Sequence, residues 1–220
     1  MSQYMAELNL TDRAVLIVGG GQVARRKLNG LAECGARITV AAPQIDAGIQ
    51  QQAAAWGGTL RRIPFHETLL NAAPRWTLVF AATGEAALNR RIAALCNQRA
   101  LLCNCADGAE ESGFRVPAVI RDDPIMAAVS TGGASPALSR ALKEHFQENL
   151  QPGWAELARL FGAQREAVKQ ALPEDAARYR FWRETALAAR DRLTHAPQEN
   201  ARWLQQRLQA AQQDADANRA

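Results

Sequence analysis

A run of apolar residues, Ala14-Val-Leu-Ile-Val18, passes directly into three glycines and then into a helix-forming segment. Few features restrict a fold more. The pattern Gly19-x-Gly21-x-x-Ala24 is the alanine-ending form of the dinucleotide fingerprint. Gly19 permits a tight turn, Gly21 lets the backbone approach phosphates, and Ala24 lets the helix pack closely on the strand. The amino terminus of that helix then presents free N–H groups and a positive dipole end to an anion. Three glycines after a strand also suit a plain strand-to-helix turn, so the flanking sequence decides. The spacing predicts a helix over 22–34, Gly35 as its stop and a strand over 37–41, a βαβ unit of roughly thirty residues. The cofactor residues on this reading are Gly19, Gly20, Gly21, Gln22 and Val23, with Ala42 and Pro43 after the second strand and Thr83 after the fourth. After the second strand, Ala41-Ala-Pro-Gln44 has neither the usual acid for an adenosine ribose nor an arginine for a 2′-phosphate. NAD and NADP both stay open at this position, with backbone groups or Gln44 left to serve the ribose.

Further along, helix is expected over 44–56, a break at Gly57-Gly58 and a short strand over 59–63. A fourth strand follows over 76–82, an alanine- and leucine-rich helix over 85–98 and a fifth strand over 101–104. That alternation predicts an α/β, Rossmann-like, doubly wound parallel sheet domain over 1–113. Ligands in such sheets bind beyond the carboxyl ends of the strands. The loops 19–21, 41–44, 81–84 and 104–107 should therefore converge on one crevice.

The pattern changes after residue 113. Two strand-like runs, 114–120 and 125–130, flank Arg121-Asp-Asp-Pro124 and read as a hairpin. Thr131-Gly-Gly-Ala-Ser-Pro136 then leads into a helix over 136–149, with Ser135 as cap and Pro136 at the first helical position. Two glycines and two hydroxyls before a capped helix make a second anion-friendly turn. This α+β piece, 114–150, precedes a helical domain over 151–220, with helices at 154–172, 176–193 and 199–214, breaks near Pro173 and Pro197, and fraying over 215–220.

Composition narrows the function classes. No segment approaches the eighteen or so uninterrupted apolar residues of a membrane span, and the amino terminus lacks a basic start followed by an apolar run. A soluble cytoplasmic protein is the default expectation, with no membrane partner. The formal charge of +4 is too small to imply nucleic acid and suits an anionic ligand at least as well. Arginine dominates the positive charge, with lysine only at 27, 143 and 169, and arginine makes the better bidentate contact to carboxylates. Cys34, Cys96, Cys103 and Cys105 lack a metal-finger spacing and are expected to be reduced thiols. Cys103 and Cys105 share one face of the fifth strand. They read as core residues or as half of a soft-metal site.

Asp107, in the loop after the fifth strand, is the best-placed acid in the crevice. A carboxylate there can serve as general base while a hydride leaves for the cofactor, although Asp-Gly in a loop is also an ordinary turn. At this point the sequence resembles a family. The segments 14–27, 81–83, Leu102-Cys-Asn-Cys-Ala-Asp107, Phe114-Arg-Val-Pro-Ala118, 128–136 and Arg178-Tyr-Arg-Phe-Trp-Arg183 are similar, in the same order, to the precorrin-2 dehydrogenase module of siroheme synthases. The likeness runs to about residue 190. It implies NAD-dependent oxidation of precorrin-2 to sirohydrochlorin, in some members followed by ferrous iron insertion, and a homodimer that exchanges contacts through the hairpin region. It also implies that Asp107 is the essential carboxylate. The tetrapyrrole substrate would meet Asn104, Arg115, Ser130, Thr131, Gly132, Gly133 and Ser135, with Arg25 and Arg140 as further cations. Thr131 stands where some members have a serine, so the hydroxyl is kept.

The three histidines, His66, His145 and His195, offer no conventional iron site, so no protein-bound metal is expected and an incoming iron would be held by the macrocycle. The chain's length leaves no room for the methyltransferase domain of multifunctional siroheme synthases. A stand-alone form is therefore expected, with chelation either its own or left to a downstream chelatase. The alternative is a non-catalytic module that carries or senses a dinucleotide or tetrapyrrole.

Overall fold

The computed structural model describes residues 3–71, 74–107 and 110–217. The chain divides into two compact units, Met1–Val116 and Pro117–Ala220.

The first unit is a five-stranded parallel sheet in the order β3-β2-β1-β4-β5, a Rossmann-like arrangement. Its strands are β1 (Ala14–Val18), β2 (Arg37–Ala41), β3 (Thr59–Arg61), β4 (Leu78–Ala81) and β5 (Leu102–Cys105). Every residue of β1 is buried, as a central parallel strand with both faces covered requires. Alternation divides its side chains between two cores. Val15 and Ile17 meet Ala24 and Leu28 of helix α1 (Gln22–Leu31), while Leu16 and Val18 face Ile92 and Cys96 of helix α3 (Ala86–Gln98). Burying a side chain such as Ile17 or Leu16 contributes about 1.5–3 kcal/mol.

Several boundaries differ from the sequence expectation, each for a local reason. Helix 22–34 is α-helical only to Leu31 and tightens into a 3-10 turn over Ala32–Cys34, ending at Gly35 with a φ of 64°. Helix α2 (Ala47–Trp56) starts three residues later than expected because Asp46 caps it, its carboxylate accepting from the Gly48 N–H at 2.8 Å. β3 stops at Arg61 rather than 63, since the Arg61 carbonyl makes the last bond, to Ala42 N–H, and Pro64 brings no donor. β4 begins at Leu78 rather than 76 because the Trp76 indole turns inward to donate to Leu69 O at 2.6 Å. Leu69 lies in an unforeseen 3-10 turn, Glu67–Asn71. Leu101 does not open β5. Its N–H closes the end of α3 on Cys96 O, and the strand runs one residue further, to Cys105.

The second unit opens with the hairpin β6 (Ala118–Asp122) and β7 (Ile125–Val129), antiparallel about the Asp123–Pro124 turn. The first of these strands was expected from 114. Phe114 instead stays with the first unit, its N–H on Cys103 O at 3.4 Å and its ring edge-on to Phe80 at 5.4 Å, and Pro117 has no N–H for a ladder. Ser130 falls outside β7. Helix α4 (Pro136–Glu148) packs on the hairpin, and Arg159 of helix α5 (Gly153–Ala171) donates to Asp123 O at the turn at 2.7 Å. Helices α6 (Asp175–Ala188) and α7 (Pro197–Ala217) complete a small core with α5 around Val168, Leu172, Phe181 and Leu204. Helix 176–193 gives way to a 3-10 turn at Ala189–Arg192. Pro197 is no break: its fixed φ suits a first turn, and it opens α7. Residues 215–217, expected to fray, are helical, and 218–220 lie outside the described residues.

Candidate functional site

Strand order reverses between β1 and β4, so the loops leaving β1, β2, β4 and β5 surround the crevice where open α/β sheets bind ligands. The glycine loop forms one side. Gly19 has a φ of 134°, and a Cβ there would lie 2.1 Å from Ala82 O; at Gly20 it would lie 2.0 Å from Gln44 O. The protein's own backbone therefore demands both glycines. Gly21 differs, because no heavy atom lies within 4 Å of where its Cβ would stand. As N-cap of α1 it offers no side-chain bond, and the first turn carries no acid, so the helix N–H groups are left for an anion. This cradle fits the pyrophosphate of a dinucleotide.

The remaining cofactor candidates line the same loops. Gln22 is exposed, and Val23 is half-buried against the core beneath α1. Ala42 is buried with its N–H on Arg61 O, while Pro43 and Gln44 are exposed. A carboxylate does stand near the end of β2, two residues beyond Gln44. It belongs to Asp46, which caps α2 and also accepts from Arg25 Nη1 at 3.5 Å. The ribose acid that the fingerprint lacks thus has a neighbour already engaged in local structure.

Thr83 and Asp107 are joined by a residue that the sequence reading passed over. Asn89 of α3 is fully buried. Its Oδ1 accepts from the Thr83 N–H at 2.9 Å and from the Thr83 hydroxyl at 2.8 Å. Its Nδ2 donates to Thr83 O at 3.1 Å and to Asp107 Oδ2. The signal for it lies in helical spacing, because Asn89, Ile92, Ala93 and Cys96 form one buried stripe, and a polar residue on such a stripe needs partners. The loop carrying Asp107 is anchored at its base as well. Ala106 N–H continues the ladder to Ala81 O at 2.9 Å, and Ser112 Oγ accepts from Cys105 N–H at 2.9 Å.

Beside this loop, Asn104 is buried, with Nδ2 donating to Phe114 O at 3.1 Å and Oδ1 without a partner. Its strand neighbour Phe80 lies beneath Lys27, whose Nζ stands 5.9 Å from the ring centroid. Lys27 lies three residues past Ala24 of the fingerprint, on α1. Burial, and then the nearby Arg26 charge, lower its pKa, and no acidic side chain among the described residues pairs with it. Arg115 belongs to the same unit and is half-buried. On the opposite face of β5, Cys96 and Cys103 share a hydrogen bond that lowers the Cys96 pKa. That bond and burial raise the Cys103 thiol well above the usual range. Among the described residues no group of three or more His, Cys, Asp or Glu is placed to hold a metal ion.

The other substrate candidates, Ser130, Thr131, Gly132, Gly133 and Ser135, lie in the second unit and form one turn. Thr131 Oγ1 accepts from the Ser135 N–H and donates to Ser135 O, both at 3.0 Å, with Ser139 Oγ also at 3.0 Å. Ser130 Oγ accepts from Gly132 N–H at 3.2 Å, and Ser135 caps α4 through Leu138 N–H at 3.1 Å. Gly132 and Gly133 take positive φ values of 65° and 92°, which explains the glycine pair. The Thr131 hydroxyl is therefore committed to holding the turn.

Residues 7–118 match the family model described as putative NAD(P)-binding, and the chain belongs to that family. More specific likenesses follow. Over 187 residues the chain is 39% identical to siroheme synthases of Escherichia coli and Escherichia fergusonii, an alignment that takes in 85% of this chain and 40% of theirs. The chain thus spans about 40% of the length of those relatives. Among solved structures, SirC, precorrin-2 dehydrogenase, shares the fold with a TM-score of 0.76 at 24% identity, covering 93% of this chain and all of that one. No helix among the described residues is long and apolar enough to cross a membrane.

The three glycines and Lys27 make testable cases. Gly19→Ala is expected to destabilise the fold by about 3 kcal/mol or more in urea unfolding, from a positive φ plus a backbone collision. Gly21→Val is expected to unfold normally and to bind NAD at least about tenfold more weakly by fluorescence titration, since only the ligand would meet its side chain. Lys27→Met should raise the melting temperature by about 2 °C near neutral pH in calorimetry, because it removes a half-buried unpaired cation. The sign follows from the lowered pKa. The folded protein sheds this proton before the unfolded chain does, so the penalty is full below the folded pKa and fades as pH rises towards the unfolded lysine range. The advantage of Lys27→Met should shrink over that interval.

Proposed function

We propose that this protein oxidises precorrin-2 to sirohydrochlorin with NAD as acceptor, in siroheme synthesis. The observation that carries the reading is Asp107, held by buried Asn89 at the end of β5, beside the loops of β1 and β4 that form the dinucleotide crevice. The likeness to siroheme synthases and to SirC, precorrin-2 dehydrogenase, supports the substrate.

When bound, NAD supplies a hydride acceptor. The chain's own residues do the rest. The α1 terminus and Gly21 hold the pyrophosphate, and the Thr83 loop and Asn104 line the reacting end. Asp107 takes the proton released as the substrate loses a hydride, so the balance is precorrin-2 plus NAD⁺ giving sirohydrochlorin, NADH and a proton. Lys27 and Arg115 suit a substrate that carries many carboxylates. Ferrous iron insertion belongs to the same reading as a second step. The macrocycle would hold the iron, and Asp107 would accept the protons that it displaces. A cytoplasmic location suits the four free thiols.

Anaerobic incubation with precorrin-2 and NAD should yield sirohydrochlorin and NADH, and Asp107→Asn should lower turnover by about 100-fold or more while still binding NAD. No NADH above a heat-killed control sinks the activity. A wild-type rate for Asp107→Asn removes the base. The homodimer is part of this reading too. It is supported by α4, which has no fully buried residue and leaves Leu138 and Phe146 about half exposed (51% and 50%). Light scattering should give twice the chain mass, and a monomer at micromolar concentration would remove this part.

A further inference from the structure

The loops after β4 and β5 are joined through one side chain, and the identity of its atoms is fixed by what each partner can do. A backbone N–H only donates and a carbonyl only accepts. Thr83 presents both to Asn89, its N–H to Oδ1 at 2.9 Å and its carbonyl to Nδ2 at 3.1 Å. These two bonds set which way the amide faces, with no freedom to flip. The second Nδ2 hydrogen is then left for Asp107 Oδ2. An ionised carboxylate is acceptor-only and suits that donor, whereas a second carboxyl oxygen at the Nδ2 position would repel it.

Asn89 is fully buried while Asp107 is exposed, so the amide reaches the carboxylate from the protein side, and a low-dielectric setting around the amide strengthens a satisfied polar network. Three of its four hydrogen bonds go to Thr83 and the fourth to Asp107, so one side chain ties together the loops after β4 and β5. The Thr83 hydroxyl adds to the lock, accepting from Glu85 N–H at the start of α3 at 3.2 Å. We infer that Asn89 is a positioning residue for the dehydrogenation. It occupies Oδ2 of Asp107 and leaves Oδ1 as the oxygen that takes the substrate proton, at a set distance from the Thr83 loop. This inference rests on the reading of Asp107 as the base.

The test is a double-mutant cycle on the full chain. Single-turnover rates of precorrin-2 oxidation are measured for wild type, Asn89→Ala, Asp107→Asn and the double variant, alongside KM for precorrin-2 and the melting temperature of each. Asn89→Ala should lower the rate by about tenfold or more with KM changed less than about threefold, and should cost less than about twofold when added to Asp107→Asn. Equal fold-losses in both backgrounds overturn the inference and leave the base reading standing, since Asn89 would then only support the fold. A wild-type rate for Asp107→Asn alone removes the base reading, and the inference falls with it. If Asn89→Ala does not fold, Asn89→Asp replaces it in the cycle. That variant keeps the size and the acceptor for Thr83 N–H but turns the donor facing Asp107 into an acceptor. A wild-type rate for Asn89→Asp overturns the inference.

Discussion

The carbonyl of Ala82 occupies the place where any side chain at residue 19 would have to be. Gly19 N–H bonds to Ala41 O at 2.9 Å and Ala82 N–H to Val18 O at 2.8 Å, so the ends of β2, β1 and β4 are laced together by backbone alone. Everything around the crevice depends on that closeness. It sets where α1 starts, and hence where its unpaired N–H groups point. It also lets the loop after β2 close on Gly20, whose carbonyl accepts from Asp46 N–H at 2.9 Å. A larger residue at either of the first two glycines would push apart the elements that surround the crevice.

Around this backbone junction the unit is apolar on both sides of the sheet, and Asn89 is the polar exception in the α3 layer. Burying an amide without partners would cost several kcal/mol, which its bonds to Thr83 and Asp107 offset. A network of that kind favours one arrangement of two loops over many, because a slight shift leaves several groups unsatisfied at once. Rigidity of the loops after β4 and β5 therefore comes from one helix residue, with the loops supplying the groups it holds.

Much of this was legible in the sequence, because strand and helix types follow from periodicity and the glycine turn follows from steric need. Boundaries were less so. Trp76, Leu101 and Phe114 are apolar residues that read as strand, yet each is drawn out of the ladder by a contact distant in sequence: the indole to Leu69 O, an N–H to Cys96 O, and a ring to Phe80. Pro197 looked like an end because proline stops helices, while at a first turn it starts them. Of the candidate site, Gly21 and Asp107 could be named from pattern and resemblance. Asp46 was not singled out, since its cap on α2 and its contact with Arg25 belong to the folded unit, and Asn89 hid among polar helix residues although its place on the Ile92–Cys96 stripe marked it as buried. Lys27 gave no sign in sequence of lacking a counter-ion, since pairing is a property of the assembled unit.

Helix α4 has a consequence of another kind. It is capped by Ser135 and started by Pro136, so its formation is secured locally, and yet none of its side chains is fully buried. Selection for the stability of a single chain therefore holds little grip on its outward positions, Leu138 and Phe146. Variation tolerated there, or refused, would report on demands that arise outside the isolated chain, which makes this helix a place where folding and function can be scored separately.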